Sequence, residues 1–391
     1  MKLLNWLGEL NPQLLRELKG RLKPWNVMGA IALSLIGQFL FVMNQYSRLP
    51  SVQYSYTSDL QNITHWLCTG TVSTYSKEEF SCVIDAFGSI QINWTLWWQE
   101  TFVNLSSAGV FVLMVLGTYM LVSNLGQEER RGTFNFIRLS PHPDRKILLG
   151  KLLGVPVLLY LALAIAVPLH LWAAVQGQIP LVNVISVYGT LLTGWFFFYS
   201  AALLWSLVTL PLGNFQTWVG TGLLLFTFTH LTSGYEANNL IQWLSAFDPT
   251  SVLLHIERTV PRTWQTDQLK MLASLEWFHL PYRSSSLSTA LFVGAHQLAW
   301  SYWIWKGLER RFRSPHAAVW SKGQSYGLVT FFGLLLLGFV WQTGEEKVLY
   351  QDFLTQLTLT FWMFLGLIIA LSPQRQALQD WARYRHQVST Q

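Results

Sequence analysis

Formal charge is scarce in this chain. Only 12% of its 391 residues are Asp, Glu, Lys or Arg, about half the share a soluble domain carries. The shortage is concentrated: residues 152–235, 84 in a row, contain none of the four. No ordinary soluble core contains such a stretch. A membrane-crossing helix needs about 20 apolar residues, so this run alone has room for three.

Chemical motifs are scarce too. The chain lacks a Gly-x-x-x-x-Gly-Lys-Ser/Thr phosphate loop. Its Gly150-Lys151 pair is followed by Leu, and Arg145 stands where the first glycine should be. That leaves no recognisable ATPase in the chain itself. It lacks a His-Glu-x-x-His zinc motif, and its nine histidines are scattered. His170 and His230 fall in or near apolar runs, where a hydrogen-bonded packing role outweighs a ligand role. The apolar runs hold no carboxylate, Lys or Arg. Proton- and ion-coupled carriers usually need such groups at mid-membrane, so any energy source must lie in another subunit.

What is there is apolar. Charge-free windows lie near 27–46, 105–125, 152–175, 184–210, 215–231, 287–305, 326–341 and 353–371. These eight are read as helices, because lipid satisfies no backbone group and the runs are continuously apolar, unlike the alternating strands of a barrel. Three glycines thin the fifth, Gly213, Gly220 and Gly222. The first run follows a basic segment without a small-residue cleavage site and reads as a retained span. The reading is therefore an all-α polytopic membrane protein of about eight spans.

Placing the N-terminus inside puts 19 Lys and Arg inside and 7 outside, while 7 Asp and Glu fall inside and 13 outside. This is the positive-inside pattern, and it supports an N-in, C-in topology. The basic balance follows from that topology and from anionic lipid, not from nucleic acid.

Residues 1–25 read as an amphipathic helix on the membrane surface. Asn11 suits an N-cap with Pro12 in the first helical position. Leu14, Leu15, Leu18, Leu22 and Trp25 then form one stripe, while Arg16, Glu17, Lys19, Arg21 and Lys23 cover the rest. Outside segments are expected at 47–104 and 234–285, the second with short helices dipping toward the membrane. Cys68 and Cys82, the only two cysteines, share the first. They pair if that side is oxidising, and stay free thiols otherwise.

One polar island, residues 127–154, separates the second and third apolar runs. Gly132-Thr133 suits the start of a short helix with Thr133 as N-cap, and Phe134, Phe136, Ile137 and Leu139 are its apolar knobs. Pro141 and Pro143 end it. Gly150 and Gly154 form a small-xxx-small pair that lets a neighbouring helix approach closely. The bland alternative is a basic loop that merely sets topology.

The island's pattern Glu129-x-x-Gly132-Thr133-Phe134-x-x-x-x-Leu139-x-Pro141, followed by Ile147-Leu-Leu-Gly150-Lys151, resembles the type-2 permeases of ATP-binding-cassette (ABC) transporters. So does Asn11-Pro12-x-x-x-Arg16-Glu17-Leu18, which is similar to that family's elbow helix. Phe134 replaces the family's usual Leu. The resemblance implies a six-span permease core over 26–305, with a cytoplasmic coupling loop at 126–150 and an elbow helix at 1–25. A basic linker at 306–325, two extra spans at 326–372 and a cytoplasmic tail at 373–391 would follow. It implies a docking helix for a cytosolic ATPase subunit, carried by Glu128, Glu129, Gly132, Thr133, Phe134, Ile137, Leu139 and Pro141. Pro12, Gly150, Lys151 and Gly154 would be structural. It further implies a second permease half, ATP and Mg bound on the ATPase and not on this chain, and residence in a bacterial plasma membrane. The alternative is a membrane scaffold that binds cytosolic partners without transport.

Overall fold

A computed structural model describes residues 9–50, 64–71, 80–86, 89–209, 212–232, 240–256, 276–315, 317–340, 346–372, 379 and 382. Nearly all of the expected tail, and residues 257–275 of the second expected outside segment, lie outside the described residues.

The chain is an all-α membrane protein. Among the described residues, six helices are long and apolar enough to cross a membrane. The order begins with α1 (Pro12–Arg21) and α2 (Pro24–Tyr46). Asn11 caps α1 by accepting the Leu14 amide, and Pro12 opens the helix. Pro24 then starts α2 after an extended Lys23. Most apolar side chains of α2 stay exposed; its Ser34 hydroxyl donates to the Ala162 carbonyl at 2.6 Å.

A short ribbon of β1 (Thr64–His65) and β2 (Phe80–Ser81) pairs antiparallel, Thr64 opposite Ser81. Beside it Cys68 and Cys82 form a disulfide. Helix α3 (Trp94–Arg130) has 37 residues and is about 55 Å long, well beyond the roughly 30 Å of hydrocarbon. Then come α4 (Thr133–Arg138), α5 (Asp144–Gly154), α6 (Val157–Gln176), α7 (Leu181–Val208) and α8 (Phe215–Thr232). Two 3-10 segments follow, Leu240–Phe247 and Leu253–His255. The chain closes with α9 (Ser286–Arg313), α10 (Lys322–Val340) and α11 (Glu346–Leu371).

Helices α8 and α9 cover two of the eight sequence windows but are not among the six. They are less apolar: α8 carries Gln216, Thr217 and Thr221, and α9 carries His296, Gln297 and Ser301. Of these, Gln297 bonds to other elements inside the protein. Gln297 donates to the Phe247 carbonyl at 3.2 Å and accepts from Thr193 at 2.6 Å. Thr190 donates to the Pro249 carbonyl at 3.1 Å. These bonds hold the 240–256 segment against α7 and α9.

The main core lies where α3, α7 and α9 meet, around Met114, Leu121, Leu203 and Leu308. Of the aromatic run 195–199, Tyr199 is fully buried and its hydroxyl donates to the Leu113 carbonyl at 2.7 Å. Phe196 stacks on Trp305 at 5.8 Å, and Phe197 meets Phe247 at 5.1 Å. The run therefore supplies packing in several directions.

Candidate functional site

The polar island folds back on the helix bundle as a turn, a six-residue helix and the start of the next long helix. At the end of α3 the chain reverses at Gly132, whose φ of 68° suits glycine far better than a residue with a Cβ. The Thr133 hydroxyl donates to the Glu128 carbonyl at 3.2 Å, so it closes the turn by satisfying an orphan carbonyl of α3. Thr133, expected as the N-cap, is itself the first residue of α4.

Helix α4 has two apolar faces, because residues three apart share a side. Phe134 and Ile137 point inward, with Phe134 only 2% exposed. The Phe134 ring meets Phe312 of α9 edge-on at 5.6 Å. The Arg138 guanidinium lies 4.4 Å above the same ring and 3.9 Å from the Glu129 carboxylate. Burial lowers the Arg138 pKa from its ordinary value, and the neighbouring Glu129 works against that shift. Phe136 and Leu139 face outward, 77% and 83% exposed, and Pro141 is exposed beside them. The eight residues proposed for docking thus divide. Phe134, Ile137 and Glu128 are buried within the chain, whereas Leu139 and Pro141 are presented.

Lys151 is the node of the site. It lies on α5, is 1% exposed, and has three ammonium protons to place. Three acceptors take them: Glu17 of α1 at 2.8 Å, Asn124 of α3 at 3.0 Å, and Glu128 of α3. Glu17 also accepts from Arg21 at 3.2 Å and from Gln13 at 3.0 Å. Burial alone would raise the Glu17 pKa, but Lys151 first and Arg21 second hold it below the usual carboxylate value. Glu17 was expected on the solvated face of α1. The structure buries Glu17 while Arg16 and Lys19 stay exposed; its partner lies 134 residues away, where no helical wheel can show it.

Gly150 and Gly154 let α1 come close enough for this contact. A Cβ on Gly150 would stand 2.7 Å from Asn11 Oδ1 and 2.8 Å from the Leu14 amide nitrogen. One on Gly154 would stand 2.5 Å from Glu17 Cβ. The small-xxx-small pair therefore receives α1. Asn11 Nδ2 adds a bond to the Lys146 carbonyl at 2.6 Å.

The other end of α5 is tied to α9. Asp144 pairs with Arg313 at 3.2 Å, and Arg145 pairs with Glu309. Helix α5 thus connects α1, α3 and α9. A cleft of about 400 Å³ opens between α1 and α4, lined by Arg16, Phe136, His142 and Lys146 among others. Among the described residues no cluster of His, Cys, Asp and Glu could hold a metal ion.

The segment Gly323-Gln-Ser325-Tyr-Gly327 has the spacing of a hydrolase nucleophile elbow. It lies inside α10, and the Ser325 hydroxyl donates to the Lys322 carbonyl at 2.7 Å. An elbow needs a strand-to-helix turn that exposes the serine, so this match is structural.

No family model, curated protein or solved structure matches the chain. The likeness to type-2 permeases accordingly rests on the residues of the island and of α1.

Proposed function

We propose that this chain is the permease subunit of an ABC exporter. It would move its substrate across a bacterial plasma membrane with ATP hydrolysed by a separate cytosolic subunit. In this reading α1 is the elbow helix and α4 the coupling helix. The six apolar helices together with α8 and α9 make eight spans, with both termini inside. A second permease half completes the complex, and α10 and α11 are additions to the six-span core.

The observation that carries the reading is the two-faced α4. Its inner face, Phe134 and Ile137, is fixed to the bundle, while Phe136 and Leu139 are held outward on a stiff support. A short helix that must transmit a push needs both features. Large exposed apolar side chains on a fixed element suit a protein partner. The Lys151 node supports the reading further, since it joins α1, α3 and α5 into one body that moves with α4.

The test is co-expression with a candidate cytosolic ATP-binding-cassette ATPase. Phe136→Asp with Leu139→Asp should abolish co-purification and leave the membrane chain folded. Deleting Thr133–Leu139 should uncouple ATP hydrolysis from transport in vesicles. If the ATPase binds equally well to both variants, the coupling assignment is wrong. A scaffold would bind partners with no nucleotide-dependent change.

A further inference from the structure

Between α3, α6 and α7 runs a groove of about 630 Å³, a size typical of small-molecule sites. Its walls belong to three of the six membrane-crossing candidates. They carry no formal charge, and five lining residues supply the polar side chains: Ser106, Tyr160, His170, Tyr188 and Trp195.

Each of these side chains has its proton committed within the protein. Tyr160 donates to the Leu152 carbonyl at 2.8 Å, and Trp195 donates to the Tyr160 hydroxyl at 2.9 Å. Ser106 donates to the Phe102 carbonyl at 2.8 Å. A hydroxyl has one proton, so Ser106 accepts from His170 Nε2, 2.7 Å away. His170 Nδ1 then carries no proton and accepts from the Tyr188 hydroxyl at 2.9 Å. In the tautomer that keeps the Ser106–Phe102 bond, the relay runs from Tyr188 through His170 to Ser106. What it leaves facing a ligand is acceptor capacity, on Tyr188 above all.

The backbone adds to this. Pro168 lies inside α6 and has no N–H, so the helix cannot supply the usual partner to the carbonyl four residues back. That carbonyl belongs to Ala164, which also lines the groove.

We infer that this groove is a binding site for an uncharged, single-chain amphiphile with a hydroxyl or amide N–H at its polar end, taken up sideways from the bilayer. The apolar walls would hold the chain, and the Tyr188 and Ala164 oxygens would accept the polar hydrogen. An anionic head group would meet only acceptors and no compensating charge. The inference stands apart from the coupling reading and needs no ATPase.

The test uses the full chain in lipid nanodiscs with three photoactivatable probes that share one sixteen-carbon chain. They are an alcohol, its methyl ether and the carboxylic acid. Labelled peptides are mapped by mass spectrometry, with α2 as reference because its Leu33 and Phe39 face outward anyway. The alcohol should label the groove walls of α6 and α7 above the α2 level. Tyr188→Phe should cut that excess about threefold to tenfold, the worth of one hydrogen bond. Ether and acid should label wild type no better than the alcohol labels that variant.

Nothing lies within 4 Å of a Cβ built on Gly109, so Gly109→Leu fills the groove from open space and should abolish the excess. Leu192→Trp, at the rim, is a second block should the first variant misfold. Equal labelling by alcohol and ether overturns the donor requirement. Labelling that survives both blocks, or that never exceeds α2, overturns the site.

Discussion

Lys151→Met should release α1 from the bundle. A pair such as Lys151 and Glu17, 2.8 Å apart, attracts by about 6 kcal/mol at an effective dielectric near 20. Desolvation of the charges offsets much of that. The variant, however, removes the lysine alone and strands the Glu17 and Glu128 carboxylates, whose side chains are only 8% and 11% exposed. Stranding one side of a buried pair costs about 3–5 kcal/mol. Each 1.4 kcal/mol is a factor of ten, so α1 should open at least 100-fold more often. Limited trypsinolysis in lipid nanodiscs reads this at Arg16, Lys19 and Arg21, since cleavage tracks the open population when reclosure is fast. Adding Glu17→Gln should restore at least tenfold of the lost protection, because a neutral amide is cheaper to leave buried. Two results would refute the reasoning. One is a Lys151→Met cleavage rate within twofold of wild type. The other is a double variant no better protected than the single.

Acid should also loosen α1. Glu17 is held below its ordinary pKa, so its contribution is complete above the ordinary carboxylate value of about 4.3. It is lost as pH falls through the lowered folded value; the hydrogen-exchange protection factor at Leu14–Leu18, taken against the intrinsic rate at each pH, should fall below pH 4 and stay constant between pH 6 and 8. Gly154→Leu should push α1 away, since its Cβ meets Glu17 Cβ at 2.5 Å, at a cost of about 1–3 kcal/mol seen in the same trypsin assay. Phe134→Ala should destabilise the cytosol-proposed end by about 3–5 kcal/mol, while Phe136→Ala stays within about 0.5 kcal/mol; thermal unfolding in detergent separates the two.

The membrane class was legible because lipid imposes a run length and forbids charge, both visible along one dimension. The Asn11-Pro12 start of α1 was legible for a similar reason, as capping is local. The islands of tertiary contact were not. Glu17 looks solvated on a helical wheel, and only the fold shows Lys151 opposite it. Phe134 and Phe136 are chemically alike and two residues apart; which one is anchored depends on Phe312, far along the chain. The buried polarity of α9 has the same origin, because Gln297 serves the 240–256 segment and so lowers the apolar signal of its own helix.

The node at Lys151 also sets a timetable. Glu17 is added to the growing chain 134 residues before its lysine exists. At roughly 5–20 residues per second of synthesis, that is about 7–27 seconds. Throughout this interval Glu17 has no Lys151, and Asn11 has no Lys146 carbonyl to reach. Helix α1 can form early on local signals, but it can settle only after α3 and α5 have been made. Its seating therefore reports that the polar island has been built, and an α1 that stays loose marks a chain still unfinished.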